Sequence, residues 1–512
     1  MIRPINRPMI TLSIMLATIM QTLDSTIANV ALPHMQGTMS ASQDQIAWVL
    51  TAYIVAAAIA TPLTGWLVDR FGQKNIFMTS IAGFTAASML CGMSNSLAQI
   101  VAARLLQGVF GAALVPLAQV VLLDINPREK QGPAMAVWGM GVMVGPILGP
   151  TLGGWLTDSY SWRWVFFINV PIGLLAFYGM WKYIRPVPGA KRMRFDVFGF
   201  ATLSLSIGAL QLLLDRGQQN DWFSSTETWI EAIALLVTAT YFVAHSLMTP
   251  AHKSFVDFRL FKNRNYISGT LFIFIVGLVL YATRALIPTM LETLLDYPVA
   301  TTGLVTAPSG LGTMLAMLVV GRIVGKVDLR LTLFVGFMIS AYSLWQMAHY
   351  SLSLSPGDII WPGVIQGIGM GLIFVPLSVA TFATLSPQMR AQGTALYSLV
   401  RNIGSSIGIS LVQTMLVRNT VIAHASLTER LTVLNPAWHN PGIASSYDLS
   451  TRAGAAFLDR AVTQQAAMLG YIDDFWLMLY LTVAVTPLLL LLKAPAKHEG
   501  PDAEFDAQAV MD

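Results

Sequence analysis

The stretch MQTLDSTIANVALP, from Met20 to Pro33, lies in an apolar segment that begins at Met9 and whose one charged residue is Asp24. About 20 apolar residues are enough for a helix to cross the hydrocarbon core of a bilayer. The segment therefore predicts a membrane-spanning helix that carries one acid. A carboxylate at that depth is costly and normally faces the interior of a helix bundle or an aqueous cavity. The sequence thus raises the question of which group pairs with Asp24 or which process depends on it.

The composition of the chain is that of an all-α, polytopic membrane protein. Of its 512 residues, 55% are hydrophobic and 11% are charged, whereas soluble domains carry about 25% charged residues. The formal net charge of +4 comes from basic residues in short loops, so it indicates no nucleic-acid partner. The single cysteine, Cys91, cannot form an intrachain disulfide and is typical of a small packing residue.

Apolar runs of about 18 residues or more predict fourteen spanning helices. If residue 1 is cytoplasmic, the cytoplasmic loops and termini hold 21 Lys and Arg residues and the opposite side holds six. This excess predicts that both termini are cytoplasmic. The predicted spans are 9–32, 46–68, 76–94, 98–123, 133–157, 164–184, 197–214, 228–248, 266–291, 303–325, 331–349, 359–384, 391–416 and 471–492.

Two predicted loops are long. Residues 185–196 are rich in proline and basic residues, as in a cytoplasmic linker. Residues 417–470 form an outward loop in which AAFLDRAVTQQAAMLGYI carries apolar residues at helical intervals. We expect an amphipathic helix there, on the membrane surface or against the bundle, and a solvated loop is the alternative.

The segment GWLVDRFGQK, from Gly65 to Lys74, precedes the second cytoplasmic connection. Its glycines permit close helix contact, and its charged residues can pair with one another or with neighbouring helix ends. A weaker echo, GRIVGKVDLR, lies at Gly321 to Arg330, which suggests two related halves. The presence of two such segments favours a role in gating over a simple ion pair at a helix end. The candidate gating residues are Gly65, Asp69, Arg70, Gly72 and Lys74.

The fourth and fifth spans hold two further patterns. Arg104 and Gln107 lie one turn apart in RLLQG, and an arginine inside a membrane needs a partner or water, for which Asp24 is a candidate. The fifth span, GMGVMVGPILGPTLGG, has glycines at four-residue spacing that allow a backbone-to-backbone crossing and prolines that bend the helix. These packing residues are Gly141, Gly145, Pro146, Gly149 and Gly153. No strand or acidic residue accompanies the glycines, so a dinucleotide site is excluded.

Five segments together resemble the successive signatures of the major facilitator superfamily. They are LDSTIANVALP (23–33), GWLVDRFGQK (65–74), RLLQG (104–108), GPILGPTLGG (145–154) and WRWVFFINVPIG (162–173). Fourteen spans with this first-helix signature resemble the drug:H+ antiporter-2 family. Within that family, LQLLLDRGQQNDWFSS, from Leu210 to Ser225, is similar to the EmrB-like multidrug exporters.

The resemblance implies a major facilitator fold with two six-helix bundles, residues 1–184 and 266–493. Residues 185–265 would hold the linker and an inserted pair of helices, and 494–512 a cytoplasmic tail. It implies multidrug export across the bacterial inner membrane, driven by the proton gradient and without a cofactor or metal. It also implies that a periplasmic adaptor and an outer-membrane channel are partners.

Proton coupling requires a group whose charge changes with the side it faces. Because no histidine lies in the middle of a predicted span, carboxylates are the candidates, with Asp24 first and Glu292 second. Asp24 with Arg104 is the predicted coupling pair, and the alternative is a structural role for Asp24, either in a permanent pair with Arg104 or as the cap of a broken helix. Arg284, which we do not expect in every family member, and Arg401 are further intramembrane cations. Each of these arginines has a structural role as its alternative. Three cations against one mid-membrane acid suggest that acidic or neutral amphipathic substrates suit the cavity at least as well as dicationic ones. The cavity candidates are Asn29, Gln107, Arg284, Glu292 and Arg401.

Other functional classes are less consistent with the sequence. A proton-independent facilitator or an exporter of one specific metabolite would share the helix pattern and remains the alternative. A membrane enzyme needs clustered His, Asp or Ser residues facing one leaflet, and the spans contain no such cluster. A nucleotide-driven pump needs the phosphate-binding pattern GxxxxGK[ST], and the sequence contains none.

Overall fold

The computed structural model describes residues 6–184, 195–250, 254–324, 326–429, 431 and 451–492. Within these ranges the chain is helical, with one isolated bridge between Val324 and Val327 and no other β structure. Most of the predicted linker (residues 185–194), residues 432–450 of the outward loop and the predicted tail (494–512) lie outside the described residues.

The described part contains seventeen α-helices and three short 3-10 helices. The helices are α1 (Arg7–Met39), α2 (Gln43–Ala60), α3 (Leu63–Phe71), α4 (Gln73–Met93), α5 (Leu97–Gly111), α6 (Leu114–Ile125), α7 (Arg128–Ser159), α8 (Trp164–Phe167), α9 (Asn169–Tyr183), α10 (Val197–Arg216), α11 (Thr226–Met248), α12 (Arg264–Thr293), α13 (Val299–Ile323), α14 (Leu329–Met347), α15 (Pro356–Phe382), α16 (Pro387–Glu429) and α17 (Arg452–Ala484).

Three predicted spans are each built from two helices. The second span bends by 56° between α2 and α3, where Pro62 lacks the N–H that would continue the hydrogen-bond ladder. The fourth span breaks at Ala112 and Ala113, and the sixth begins with the single turn α8. Sequence periodicity did not reveal these breaks because apolar composition continues across them.

Twelve helical segments of the described chain are long and apolar enough to cross a membrane, or thirteen if α2 and α3 form one span. The helix α14, which matches the predicted span 331–349, is not among them. It has 19 residues and holds Arg330 and Gln346 near its ends, which lowers its mean hydropathy. The count of fourteen therefore stays a prediction.

The helices pack in two groups. In the first, α1 packs against α6, α7 and α9, α4 against α5 and α9, and α2 against α5. In the second, α15 packs against α12, α13 and α14, while α16 packs against α12 and α17. The groups meet where α7 packs against α13, and the pair α10 and α11 lies outside both, with α10 in contact with α2 and α16.

The two related segments at Gly65 and Gly321 make equivalent contacts. Lys74, the last residue of the first segment, donates to the carbonyls of Trp181 and Ile184 at the end of α9 (2.8 and 2.6 Å). Arg330, the last residue of the second, donates to the carbonyl of Leu492 at the end of the other group. Cations stabilise helix C-termini, so each segment anchors the last helix of its own group.

The outward loop differs from its expected structure. The segment AAFLDRAVTQQAAMLGYI is the beginning of α17 and continues without a break into the last predicted span. Similarly, α16 has 43 residues and is about 65 Å long at 1.5 Å per residue, about twice the hydrocarbon thickness. The expected helix is therefore present, but it continues the last predicted span and packs against α16. The two helices project as a hairpin, in which His424 and Asp459 are 3.3 Å apart.

The α1–α7 contact generates the first prediction. A Cβ atom at Gly145 would lie 2.5 Å from the Thr22 carbonyl carbon, whereas at Gly154, on the same helix, nothing lies within 4 Å. Gly145→Ala should therefore destabilise the purified protein by about 1–3 kcal/mol, the usual cost of overpacking. Gly154→Ala should not destabilise it, because alanine favours the helix. Thermal unfolding in detergent measures both, and equal midpoints for the two variants would contradict the close contact.

Candidate functional site

Asp24 lies at the centre of a fully buried hydrogen-bond network. Its Oδ2 accepts from Nη1 of Arg104 (2.7 Å), and its Oδ1 accepts from Nε2 of Gln107 and Nδ2 of Asn169 (2.8 Å each). All four side chains are at most 1% exposed. The sequence therefore identified the partner of Asp24 correctly, and the network adds an amide from α9.

The guanidinium of Arg104 is held from several sides. Its Nε donates to the Val49 carbonyl (3.0 Å), and Nη1 also donates to Oε1 of Gln107 (2.8 Å). The Tyr53 ring lies 4.3 Å from the guanidinium carbon, an arrangement typical of a cation–π contact. These contacts fix α2, α5 and α1 relative to one another.

The network is completed behind Asn169. The Asn169 Nδ2 also donates to the Ser88 hydroxyl (2.9 Å), which in turn donates to the Phe166 carbonyl (2.9 Å). The Oδ1 atom of Asn169 has no hydrogen-bond partner among the described residues. Asn169 is neutral and adds no charge to the site. The ionised forms of Asp24 and Arg104 therefore contribute one negative and one positive charge, which neutralise each other.

The glycine face of α7 packs against α1 where α1 carries this network. A Cβ at Gly149 or Gly153 would meet Thr26 or Ile27 of α1 at less than 3 Å, and one at Gly141 would lie 3.2 Å from Met15. The Thr26 hydroxyl donates to the Gly145 carbonyl across the contact (3.0 Å). The predicted backbone crossing is therefore present, and its partner is α1. Helix α7 continues through Pro146 and Pro150, which line the neighbouring cavity.

A cavity of about 760 Å³ lies between the two groups of helices. It is lined by residues of α1, α2, α6, α7, α10, α12, α13, α15 and α16, and it reaches Pro33 and Glu292, near the ends of α1 and α12. Asp24 does not line this cavity, whereas Tyr53, which covers Arg104, does. The ring of Tyr53 therefore stands between the buried pair and the cavity.

Four of the five cavity candidates lie on its wall: Asn29, Arg284, Glu292 and Arg401. The fifth, Gln107, is instead part of the Asp24 network. The hydrogen bonds of Arg284 and Arg401 go to the sulfur of Met143 (3.6 Å) and the side chain of Asn402 (3.4 Å). Among the residues that the structure describes, neither guanidinium has a carboxylate within ion-pair distance. The wall thus offers two positive charges to a ligand.

The opposite end of the cavity is closed by contacts between the groups. Nη1 of Arg390 in α16 donates to Oδ1 of Asp124 in α6 (2.8 Å). A Cβ at Gly65 would lie 3.0 Å from the Cα of Gln392, and one at Gly132 would lie 2.8 Å from the Val324 side chain. Close packing at these glycines therefore seals the end of the molecule that carries the predicted gating segment.

The gating residues have separate contacts rather than one latch. Gly65 supports the closed end and Lys74 anchors α9, as above, while Gly72 ends α3 with a φ of 83° that glycine adopts readily. Arg70 lies over the ring of Trp66 (5.4 Å). In the described ranges Asp69 has no ion pair, so pairing with Arg70 or Lys74 is absent from this conformation.

The segment 210–225 gives α10 contacts with both groups. Oδ2 of Asp215 accepts from the Thr51 hydroxyl of α2. Oε1 of Gln211, which lines the cavity, accepts from the Ser406 hydroxyl of α16 (3.0 Å). The inserted helix thus bridges α2 and α16 beside the cavity.

Comparison with known proteins identifies the fold and family. The sequence profile of the Major Facilitator Superfamily matches residues 14–409. The chain belongs to the major facilitator superfamily.

Relatives within the superfamily match nearly the whole chain. The fatty acid resistance protein FarB of Neisseria gonorrhoeae is 34% identical over 96% of this chain and 97% of its own length. The multidrug export protein EmrB of Escherichia coli K12 is 34% identical over 95% of each chain. The EmrB of Haemophilus influenzae is 35% identical over 92% of each. All three are named for resistance or export, and none as an enzyme.

Solved structures show the same fold at low sequence identity. The human organic anion transporter MFSD10 has a TM-score of 0.60 and 13% identity, and covers 94% of this chain and all of its own. The proton:xylose symporter XylE has a TM-score of 0.59 and 12% identity, and covers 95% of this chain and 99% of its own.

Three polar residues of the Asp24 network and the neighbouring cavity were not predicted from the sequence. Asn169, Tyr53 and Gln211 are all buried, and none carries a charge to mark it within an apolar run. The signal for Asn169 was its place as an isolated amide in WRWVFFINVPIG. No group of three or more His, Cys, Asp or Glu side chains in the described chain could hold a metal ion.

The Asp24–Arg104 contact generates the second prediction. Asp24→Ala or Arg104→Ala alone leaves the other charge buried and unpaired, and each should cost about 3–5 kcal/mol of stability. The double variant should cost less than the sum of the two, because it leaves no unpaired charge. Thermal unfolding of the purified proteins measures this cycle. Additive losses would show that the two side chains do not interact.

Proposed function

We propose that this protein is a proton-coupled multidrug antiporter that exports amphipathic compounds across the bacterial inner membrane. The observation that carries the proposal is the buried Asp24 network, which borders a cavity large enough for a drug-sized ligand. The relatives named for multidrug export support the same function.

In this proposal Asp24 binds the transported proton, and Arg104 tunes the proton affinity of the Asp24 carboxylate. The guanidinium and two amides stabilise the ionised carboxylate. Protonation of Asp24 would weaken its attraction to Arg104 and free the network to rearrange. Tyr53 would control access, because its ring separates Arg104 from the cavity.

The two groups of helices would be the moving bodies of alternating access. We assign the N-terminal bundle to residues 1–184 and the C-terminal bundle to 266–493, with residues 185–265 as the inserted unit. With both termini in the cytoplasm, as the loop charges favour, the closed end is cytoplasmic and this conformation faces outward. Asp69 and Arg70 would then act in the inward-facing state.

The charge of the cavity supports acidic or neutral amphipathic substrates. Arg284 and Arg401 lack carboxylate partners in the described chain, and apolar residues such as Ile54, Val142 and Met370 line the remaining wall. An amphipathic substrate that carries a carboxylate would pair with these arginines and would also contact the apolar wall.

Transport in proteoliposomes with an imposed pH gradient tests this function. A dansyl-labelled fatty acid and a dansyl-labelled alkylamine of equal length serve as matched probes. Asp24→Asn should reduce gradient-driven transport to the level of empty liposomes, because the amide cannot bind the proton. The control, Asp158→Asn, changes an acid that is 74% exposed and should retain transport.

Two outcomes would contradict the proposal. Asp24→Asn at the wild-type rate would make the carboxylate structural, and wild-type transport that is independent of the gradient would indicate a facilitator. In the same assay Arg284→Gln should lower transport of the fatty acid about tenfold or more, as expected for a lost hydrogen bond to a charged group. It should spare the amine, and Arg460→Gln on the exposed hairpin should affect neither probe.

The projecting hairpin of α16 and α17 supports a periplasmic adaptor as partner, with an outer-membrane channel beyond it. Its surface exposes large apolar side chains, with Val421, Ile422 and Phe457 exposed by 65%, 56% and 68%. Such groups in water are typical of an interaction surface.

Shortening residues 425–460 tests the adaptor. Loss of docking should abolish resistance in whole cells and leave transport in proteoliposomes intact, because none of the described residues of this hairpin lines the cavity. A parallel loss of both activities would assign the hairpin to the transport cycle and remove the docking role.

A further inference from the structure

A second acid in α17 lies in an environment unlike that of Asp24. In GYIDDFW, from Gly470 to Trp476, Asp474 has no exposed surface. Neither of its carboxyl oxygens has a hydrogen-bond partner among the described residues. Its neighbour Asp473 is exposed. Asp474 lies close to the beginning of the last predicted span and is not among the carboxylates predicted from the sequence, of which Glu292 is the second.

The buried neighbours of Asp474 on α17, namely Tyr471, Phe475 and Met478, belong to one apolar cluster. The next residue, Phe475, belongs to a buried cluster with Met290 of α12, Met347 of α14 and Val412 of α16, and its ring lies 5.8 Å from that of Tyr350. The charged or titratable groups on the surrounding elements include Tyr471, Asp473 and Tyr480 on α17, Tyr342, His349 and Tyr350 on or after α14, Tyr281, Arg284 and Glu292 on α12, and Tyr397, Arg401, Arg418 and His424 on α16. None of these forms a hydrogen bond or ion pair with Asp474.

An ionised carboxylate without a donor is strongly disfavoured in such a place, whereas a neutral carboxylic acid is tolerated. Asp24 has the opposite environment, with three N–H donors that suit the ionised form. The two acids therefore lie in opposite hydrogen-bonding environments in the same conformation.

The apolar cluster beside Asp474 extends to the wall of the cavity. Ile287, Val305 and Ile359 belong to the same apolar cluster as Phe475 and also line the cavity wall.

The last helices of the two groups also correspond to each other in how their ends are held. Lys74 anchors the end of α9, the helix of Asn169, and Arg330 anchors the end of the segment that follows α17. Asp474 lies about one helical turn farther from its anchored end than Asn169 does. Equivalent helices thus supply Asn169 to one site and Asp474 to the other.

We propose that Asp474 is a second proton-binding site of this transporter, which holds its proton in the conformation described here and releases it when the helices around α17 rearrange. Binding of one proton converts the carboxylate to the neutral acid. Release restores the carboxylate and returns one positive charge to water. The proposal rests on the proposed proton-coupled export, and it adds a site in the second group of helices to the Asp24 site in the first.

Infrared spectroscopy of the full-length protein in detergent tests the protonation state without requiring transport. At about pH 7 the carbonyl band of a protonated carboxyl group should be present, and it should shift when aspartate is labelled with 13C. Asp474→Asn should remove this band, Asp474→Glu should restore a band that the aspartate label does not shift, and the matched control Asp473→Asn should leave it unchanged. A wild-type protein without a 13C-sensitive band, or an unchanged band in Asp474→Asn, would overturn the proposal.

The ratio of protons to substrate in proteoliposomes tests the role in transport, with the dansyl-labelled fatty acid as probe. Asp474→Asn should lower the ratio by one proton per substrate, whereas Asp473→Asn should keep the wild-type ratio. An unchanged ratio in Asp474→Asn would make Asp474 a buried neutral acid outside the cycle and overturn the proposal. If wild-type transport does not respond to the pH gradient, the proposed function fails, while the infrared result still stands for the protonation state of Asp474.

Discussion

A carboxylate that cannot reach water constrains the whole first group of helices. Asp24 is fully buried on α1 and needs donors from other helices, which come from α5 and α9. Arg104 in turn requires the Val49 carbonyl of α2. Because an unpaired polar group is so costly in a low-dielectric interior, such a network is stable only when all of its members are in place. Four helices are thereby held in one arrangement, which suits a body that moves as a unit.

The close approach of α7 is the second condition for this arrangement. Gly145 and Gly149 bring the backbone of α7 against α1 beside the network. About two turns before Gly145, the indole N–H of Trp138 donates to the Thr18 hydroxyl of α1 (3.0 Å). The same helix packs against α13 through Gly139, Gly310 and Gly321. A single helix therefore supports the buried acid on one side and forms the junction between the groups on the other. Small residues on both faces make this double role possible.

Charge and composition made most of the fold predictable. The spans follow from apolar length, and the Asp24–Arg104 pair follows from the cost of isolated charges in a membrane. Neutral groups were harder to predict, because Asn169 and Tyr53 carry no charge and owe their roles to contacts between distant helices. Asp474 was not predicted because it lies near the beginning of the last predicted span, whereas its burial depends on packing as well as on depth. Helix continuity was also hidden: the bend near Pro62 and the extension of α16 to Glu429 depend on tertiary contacts and on water beyond the bilayer.

The two sides of the junction between the groups differ in a way that limits how the cavity can close. On one side, α7 and α13 are in contact from Gly132 and Val324 at the closed end to Pro150 and Gly303 beside the cavity. On the other, α3 meets α16 at the closed end, while α10 bridges α2 and α16 beside the cavity through Asp215 and Gln211. Packed glycine faces tolerate small rotations, whereas hydrogen bonds between side chains must break or exchange when their helices separate or approach. Any movement that brings α2 directly against α16 must therefore release at least one of the α10 bonds, and the inserted helix takes part in the cost of closing the cavity.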